Sequence, residues 1–147
     1  MQKRDFELLS TENDKELLPK RETEGAAGYD LKCSEEIVIQ PGEIGMVKTG
    51  LKAYMQQGEV LLLMDRSSNK RKLGIVLINS VGVIDKDYYN NAGNEGHIMA
   101  QMQNTTNKPV TIPYGTRMVQ GVFVNHLITD SDNASGKREN GFGSTNK

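Results

Sequence analysis

The amino-acid sequence predicts an all-β domain of the sandwich or barrel class, with one short helix and a flexible C-terminal tail. Short apolar runs and alternating apolar and polar residues dominate the middle of the 147-residue chain. They recur at a spacing of roughly 8–12 residues, which is typical of sandwiches and barrels. No stretch of about ten residues repeats its apolar positions with the helical period of about 3.6. The length fits one domain with its own core.

The strands are predicted from runs of aliphatic and β-branched residues, most of them with alternating polarity. In chain order they cover 37–39, 46–52, 59–64, 75–79, 97–103, 110–112 and 118–125. Residues that favour turns separate them. These are Pro41-Gly42, Gln57-Gly58, Asn90-Asn91, Asn107-Lys108-Pro109 and Pro113-Tyr114-Gly115.

A short helix is predicted over 67–73, because serines precede it and Gly74 follows it. The charged segment 1–24 is predicted to form an edge strand and a loop. Its apolar anchors are Leu8, Leu9, Leu17 and Leu18. The predicted β-domain therefore spans 1–128.

The segment 129–147 is predicted to be a flexible arm, because Phe142 is its only large apolar residue. Such a segment buries too little surface to offset the entropy lost on ordering. It nevertheless ends in Gly141-Phe142-Gly143-Ser144-Thr145, an aromatic ring between glycines followed by two hydroxyls. That composition suits a lid that closes over a ligand.

Composition excludes several classes of function. Lys and Arg number 18 and Asp and Glu 19, which gives a net charge of −1 and argues against a nucleic-acid or membrane-surface binder. A small anionic ligand needs only a few local cations and stays compatible. Cys33 is the single cysteine, which excludes an intrachain disulfide and favours a reducing, cytoplasmic location. No membrane span or signal peptide is expected, since the longest apolar run covers only 60–64.

Two clusters suggest contacts to a charged ligand. Asp30, after the small residues 25–28, could face a hydrated cation, although those glycines also suit the tight start of a strand. Arg66, Ser67 and Ser68 lie where a strand turns into the predicted helix and could bind phosphate. Their alternative is an ordinary serine N-cap.

The sharpest cluster covers 79–88. Asp85 follows the apolar pair Val83-Ile84 and could act as a general base on a water molecule, or could simply be an Asp in a hairpin turn. Arg117 and Gln120 flank an apolar run, and an edge-strand Arg facing solvent is the alternative. Further candidate phosphate donors lie in the tail: Lys137, Arg138, Ser144 and Thr145. His97 and His126 lack a partner at metal-ligand or nucleophile spacing and are predicted to be structural or solvated.

Five of these clusters, in this order, closely resemble the motifs of the trimeric dUTPase (dUTP diphosphatase) family. The resemblance covers nearly the whole chain. The motifs are Ala-Ala-Gly-Tyr-Asp-Leu (26–31), Arg-Ser-Ser (66–68), Gly-Val-Ile-Asp-Lys-Asp-Tyr (82–88), Gly-Thr-Arg-Met-Val-Gln (115–120) and Gly-Phe-Gly-Ser-Thr (141–145).

The resemblance implies a jelly-roll-like β-fold and a homotrimer with active sites at the subunit interfaces. It implies hydrolysis of dUTP to dUMP and pyrophosphate with Mg²⁺ bound to the triphosphate. Such a reaction keeps uracil out of DNA and supplies dUMP for dTMP synthesis.

The resemblance also implies a role for each matching residue. Asp85 would activate the attacking water, and Tyr88 would lie beneath the deoxyribose and leave no room for a 2′-hydroxyl. Asp30 would contact the magnesium ion through water. The uracil-reading hairpin would comprise Asn79 and the backbone near Val83, Ile84 and Met99. The phosphate grip would comprise Arg66, Ser67, Ser68 and Gln120. The lid would comprise Phe142, which stacks on uracil, with Arg138, Gly143, Ser144 and Thr145.

Two features leave alternatives open. Lys137 lies five residues and Arg138 four residues before Phe142, and either could reach the γ-phosphate. The turn after Tyr88, 89–96, is longer than in the family and could dock a regulatory protein. The dCTP deaminases share the fold and are the rival enzyme class, but the hairpin and tail fit a dUTPase better.

Overall fold

The computed structural model describes residues 2–142 and is built almost entirely of β-strands. Within these residues the one α-helix, α1, covers Asn69–Leu73, and single 3₁₀ turns cover Lys15–Leu17 and Lys86–Tyr88. The strands are β1 (Asp5–Leu8), β2 (Tyr29–Lys32), β3 (Ile37–Ile39), β4 (Ile44–Lys48), β5 (Leu51–Tyr54), β6 (Glu59–Asp65), β7 (Ile75–Leu77), β8 (Val81–Ile84), β9 (Met99–Asn104), β10 (Val110–Ile112) and β11 (Arg117–Asn125). The all-β prediction is therefore confirmed.

The strands form antiparallel sheets that share one core. The largest sheet has the order β2-β11-β6-β8, a second has the order β4-β9-β7, and β1-β5 and β3-β10 form two-stranded sheets. Buried residues alternate along β9, as expected for a strand with one face on the core. A single apolar cluster joins residues from all four sheets, among them Phe6, Ile39, Leu61, Met102 and Met118. The arrangement is that of packed β-layers around one core.

Several predicted elements match and one is wrong. Strands 37–39 and 110–112 are confirmed, as is the edge strand near the N-terminus, which is β1. The predicted strand 46–52 is two strands, because Gly50 adopts a positive φ of 71° between β4 and β5. That turn lets β4 pair with β9 while β5 pairs with β1.

The strands β2 and β8 are additional to those predicted, and the helix begins two residues later than predicted. Ser68 precedes α1 without a side-chain capping bond, whereas Gly74 ends it in the left-handed conformation with φ 71°. Glycine tolerates that conformation, so the predicted end of the helix is confirmed.

The insertion loop, residues 89–96, folds back onto the β1-β5 sheet. The hydroxyl of Tyr89 donates to Glu7, and its ring packs edge-on against Tyr54. The carboxylate of Glu95 accepts bonds from the backbone N–H (3.0 Å) and hydroxyl (2.9 Å) of Ser10 and from Nζ of Lys52 (2.8 Å). These donors lower the pKa of Glu95 to about 2. The loop is therefore anchored on the body of the domain.

Residues 129–142 contain no helix or strand. None of the helices described between residues 2 and 142 has the length and apolar character needed to span a membrane.

Glu95→Gln should make the stability of the domain less sensitive to a fall in pH. The carboxylate of Glu95 has a lower pKa in the folded chain than in the unfolded chain, so its contribution is complete above about pH 4.5 and is lost as the pH falls towards about 2. Thermal unfolding midpoints of both proteins, measured from about pH 7 to about pH 3, should therefore converge at the acid end. A gap that stays constant across this range would contradict the role of Glu95 as an anchor.

Candidate functional site

A cavity of about 290 Å³ opens between β8, β9 and the returning tail. It contains the predicted uracil-hairpin residues together with the predicted base, sugar contact and lid. Its lining residues are Leu63, Leu77, Asn79, Gly82, Val83, Ile84, Asp85, Tyr88, Met99, Gln101, Arg138, Gly141 and Phe142.

A larger and more open depression of about 470 Å³ lies elsewhere, beside Phe6, Tyr29 and Phe123. It contains none of the predicted site residues. Of its charged groups, Arg4 and Glu59 are paired with each other at 2.5 Å, and the carboxylate of Asp5 accepts from the backbone N–H of Phe6 at 2.8 Å. The smaller cavity is therefore the better candidate for chemistry.

The backbone of β8 forms one wall of the candidate cavity. Among the described residues β8 pairs with β6 alone, so its other edge presents N–H and C=O groups without strand partners. Ser80, with φ 65°, turns the chain from β7 into β8, and Val81 N–H donates to the carbonyl of Asn79 at 2.7 Å. A free strand edge can form directed hydrogen bonds to a flat polar ring.

Asp85 immediately follows β8 and leads into the 3₁₀ turn that carries Tyr88. Its carboxylate makes no capping bond to that turn and is contacted at 2.6 Å by Nη2 of Arg138. Nε of Arg138 lies 2.7 Å from the carboxylate of Asp87. The structure thus places Arg138 on two carboxylates beside the cavity, where the guanidinium finds opposite charge.

Tyr88 is almost completely buried and fixed at its hydroxyl. The hydroxyl donates to the carbonyl of His97 at 2.5 Å and accepts from Nδ2 of Asn94 at 2.8 Å. Burial raises the pKa of Tyr88, and the Asn94 bond opposes that rise. Burial lowers the pKa of His97, whose Nε2 accepts from the backbone N–H of Gly50 at 3.0 Å. His97 is thus structural, as predicted.

The tail reaches the cavity along the insertion loop. The backbone N–H of Gly93 donates to the carbonyl of Glu139 at 2.7 Å. Gly141 sits on the ring of Tyr88 so closely that an added Cβ would lie 2.6 Å from its Cε1. Phe142 follows at the mouth of the cavity and is half exposed. Gly143, Ser144 and Thr145 of the predicted lid lie outside the described residues.

The predicted phosphate grip forms a second cluster, at the other edge of the large sheet. Nε of Arg66 lies 3.3 Å from the carboxylate of Asp30, and Nε2 of Gln120 donates to the carbonyl of Asp65 at 3.3 Å. Gly28 packs against Gln120 so closely that an added Cβ would overlap the amide oxygen of Gln120. These contacts bring Asp30, Arg66 and Gln120 together in one chain.

A shallow depression of about 290 Å³ continues this cluster and includes Arg66, Ser68 and Arg117. Ser67 is exposed beside it. Arg117 pairs with Glu22 at 2.9 Å near the surface, in line with the alternative of a solvent-facing Arg.

One chain keeps Asp85 apart from the phosphate cluster. In the sheet, Asp30 lies opposite Gln120, Gln120 opposite Met64 and Met64 opposite Val81. Asp85 follows four positions further along β8. Three strand spacings and four residues put Asp30 about 20 Å from Asp85. A single chain therefore does not bring Asp85 and Asp30 within reach of each other.

The donors present fit a magnesium ion held mainly by water and phosphate. Within residues 2–142, no group of three or more His, Cys, Asp or Glu side chains is arranged to bind a metal ion directly. Asp30 offers one carboxylate beside Arg66. Mg²⁺ is commonly bound through one or two carboxylates together with substrate phosphates and several waters.

Sequence reasoning missed part of the cavity wall. Leu63 and Leu77 line the cavity, but on strands they are indistinguishable from core residues. Gln101 could have been found, because it lies two positions after Met99 on β9 and side chains two apart share a face.

An edge-strand pocket beside a carboxylate paired with Arg138, with a cluster of guanidinium and hydroxyl groups at the sheet's other side, defines a β-fold protein suited to a phosphorylated ring compound. The sequence profile of the dUTPase family matches residues 14–146. The chain therefore belongs to the dUTPase family.

Relatives and solved structures agree with this family. The deoxyuridine 5′-triphosphate nucleotidohydrolase of Lactococcus lactis is 55% identical over 148 residues, covering 99% of each chain, and that of Haemophilus influenzae is 36% identical over 156 residues, covering 100% of this chain and 99% of the relative. The dUTPase of Streptococcus mutans superposes with a TM-score of 0.85 at 61% identity, covering 86% of this chain and 99% of the other. A Staphylococcus bacteriophage 80alpha dUTPase shares the fold, with a TM-score of 0.71 at 21% identity over 94% of this chain and 99% of the other.

Gly141→Ala should displace the tail from Tyr88, because the added Cβ would lie 2.6 Å from the ring. The chain has no Trp, so Phe142→Trp introduces a single fluorescent reporter at the mouth of the cavity. In that background, Gly141→Ala should shift the indole emission to longer wavelength. Gly136→Ala is the matched control, since a Cβ there meets nothing within 4 Å. Equal spectra for the two alanine variants would contradict the close contact between Gly141 and the ring of Tyr88.

Proposed function

We propose that this protein hydrolyses dUTP to dUMP and pyrophosphate and is thus a dUTP diphosphatase. The observation that carries the proposal is Asp85, whose carboxylate lies at the end of an edge strand in the wall of the cavity. Membership of the dUTPase family supports the choice of substrate, as does the name of the L. lactis relative.

In the proposed reaction, Asp85 accepts a proton from a water molecule. The resulting hydroxide attacks the α-phosphorus, and the bond between that phosphorus and the oxygen bridging to the β-phosphate breaks. The electron pair of the broken bond leaves with pyrophosphate. A positioned general base of this kind contributes typically about 10²–10⁴-fold to a rate.

Selectivity for the base is proposed to reside in the edge of β8. Its free N–H and C=O groups near Val83, with Asn79 and the backbone near Met99, would pair with the polar edge of uracil. Cytosine would leave buried donors and acceptors unpaired, which is costly. Tyr88 would lie beneath the deoxyribose and exclude a ribose 2′-hydroxyl.

The second cluster is proposed to bind the phosphates. Arg66, Ser67, Ser68 and Gln120 would donate hydrogen bonds to them, and Asp30 would hold water molecules of a magnesium ion. When bound, Mg²⁺ would offset negative charge on the triphosphate. The predicted donors from Ser144 and Thr145 would join from the lid.

The arm is proposed to close over the bound nucleotide, with Phe142 stacked on uracil and Gly143 allowing the turn. Arg138 would leave Asp85 and Asp87 for the γ-phosphate, because a phosphate offers the guanidinium more charge than either carboxylate. Lys137, one residue earlier, is the alternative donor. Closure would also keep bulk water from the reaction.

A homotrimer is proposed because each chain would hold two half-sites, the cavity with Asp85 and the cluster with Asp30 and Arg66. The carboxylates of Asp85 and Asp30 lie about 20 Å apart in one chain. A neighbouring copy could bring its phosphate cluster against the base cavity of this one. An intracellular location is proposed from the single buried cysteine, since free thiols persist where the environment is reducing. There the reaction would keep uracil out of DNA and supply dUMP.

No contact within residues 2–142 favours either of the two alternatives, a dCTP deaminase or a protein with an added regulatory partner. A dCTP deaminase would release ammonia, and dCTP and dUTP assayed in parallel would separate the two enzymes. A regulatory partner at the insertion loop stays a hypothesis, which a binding assay with and without 89–95 would test.

Asp85→Asn should lower kcat for dUTP by roughly 10²–10⁴-fold, because the amide cannot accept the proton of the water. Affinity for a non-hydrolysable dUTP analogue should change far less. Asp87→Asn is the matched control. Asp87 is the other carboxylate that contacts Arg138, and it does not line the cavity, so kcat of this variant should stay within about tenfold of the wild-type value. Near-wild-type turnover by Asp85→Asn would remove this residue from the proposed mechanism.

Mixing two inactive variants should restore activity if the half-sites meet between copies. Asp85→Asn and Arg66→Ala should each be weak alone. When the two chains are unfolded together and refolded at equal amounts, about a quarter of the sites should combine an intact Asp85 with an intact Arg66. Light scattering should give three times the chain mass of 16.3 kDa. Failure to recover activity in mixed assemblies verified by mass tags would refute the shared site.

A further inference from the structure

The insertion loop contributes a side chain to the wall of the cavity from behind. Nδ2 of Asn94 donates to the hydroxyl of Tyr88 at 2.8 Å, and the same hydroxyl donates to the carbonyl of His97. A tyrosine hydroxyl has one proton and two lone pairs, so these two bonds fix its position along and across the ring axis. The ring of Tyr88 is thus held at its far end as well as at its backbone.

Asn94 is itself fixed by the loop. Its Oδ1 accepts from the backbone N–H of Gly96 at 3.0 Å and from Nδ2 of Asn91 at 2.8 Å. Asn91 also donates to the backbone carbonyl of Tyr88 at 2.7 Å. The amide of Asn94 therefore has both its oxygen and its nitrogen engaged, and its orientation is determined by the loop rather than by solvent.

The loop closes tightly around the backbone of Tyr88. Gly96 has φ 92°, and an added Cβ would lie 2.8 Å from the carbonyl oxygen of Tyr88. The conformations of Asn90 and Glu95, with φ 56° and 65°, turn the chain back on itself. Such conformations are uncommon for residues other than glycine and persist where the surrounding contacts specify them.

We propose that Asn94 is a positioning residue that keeps the Tyr88 ring rigid, so that the enzyme rejects ribonucleotides. This inference rests on the proposed function and extends it from the ring to the loop behind it. Excluding one hydroxyl group requires a wall that does not yield by a fraction of an ångström. With its hydroxyl held by the His97 carbonyl alone, the ring could tilt and make room for the 2′-hydroxyl of a ribose.

The test compares kcat/KM for dUTP and UTP in Asn94→Ala and Asn94→Asp. Asn94→Asp keeps an oxygen for Gly96 and Asn91 but replaces the amide donor to Tyr88 with a charged oxygen that cannot donate, whereas Asn94→Ala removes the donor without adding charge. A loss of preference shared by both variants therefore reports the lost bond and not the added charge. Both variants should lower the preference for dUTP over UTP by about threefold to tenfold, the range expected for one lost hydrogen bond.

Glu95→Gln is the matched control, because it weakens the outer anchor of the loop without touching the hydroxyl of Tyr88. It should keep the wild-type preference for dUTP even where it lowers thermal stability. An equal loss of preference in Glu95→Gln would assign the effect to loop stability and overturn the proposal. An unchanged preference in both Asn94 variants would also overturn it.

The preference can also be measured without turnover. Calorimetry with non-hydrolysable analogues of dUTP and UTP gives the ratio of dissociation constants, which should fall in the same variants. If the wild-type protein discriminates these analogues but does not hydrolyse dUTP, and the ratio falls in the Asn94 variants, the proposed reaction is rejected and the role of Asn94 is supported. Hydrolysis of dUTP by the wild-type protein, together with an unchanged ratio of dissociation constants in the Asn94 variants, would support the proposed reaction and reject the role of Asn94.

Discussion

The pairing of β6 on both of its edges is the constraint on which the rest of the structure depends. β6 pairs with β11 along its whole length and with β8 on the other side. Its side chains Leu61 and Leu63 are buried in the core, so a shift by one residue would move this apolar set to the opposite face. The register of β6 therefore fixes where β8 ends and hence where Asp85 stands.

The same strand organises the second cluster through its last residue. The carboxylate of Asp65 accepts from Nδ2 of Asn69 at 2.6 Å and from the backbone N–H of Leu77 at 2.9 Å. These bonds fix the turn that carries Arg66 at the start of α1. Because the two ends of one extended strand lie far apart, Asp85 is separated from the phosphate cluster within a chain. This geometry makes an interface between copies a natural place for a complete site.

Polar contacts, rather than apolar packing, hold the far side of the base cavity. The insertion loop contacts Tyr88 through amide and backbone hydrogen bonds, the tail is hydrogen-bonded to that loop at Gly93, and Arg138 bridges two carboxylates. Polar groups at a protein surface readily exchange their hydrogen bonds and ion pairs for contacts with water or with a charged ligand, whereas the packed core beneath them keeps its contacts. A site that a nucleotide must enter, occupy and leave needs both features: a rigid core on one side and polar contacts that can be exchanged on the other.

The sequence by itself determined the all-β class, the confirmed strands 37–39 and 110–112 and the end of α1 at Gly74, because these follow from alternation and local backbone preference. Through its ordered motifs it also predicted site roles for Asp85, Tyr88 and Arg66. Only the tertiary structure decided that 46–52 divides at Gly50, since β4 and β5 pair with strands distant in sequence. It alone set the contact of Arg138 with Asp85, 53 residues away, and the bond from Asn94 to the Tyr88 hydroxyl. Such contacts depend on how distant segments converge in space, and no local pattern of residues encodes that convergence.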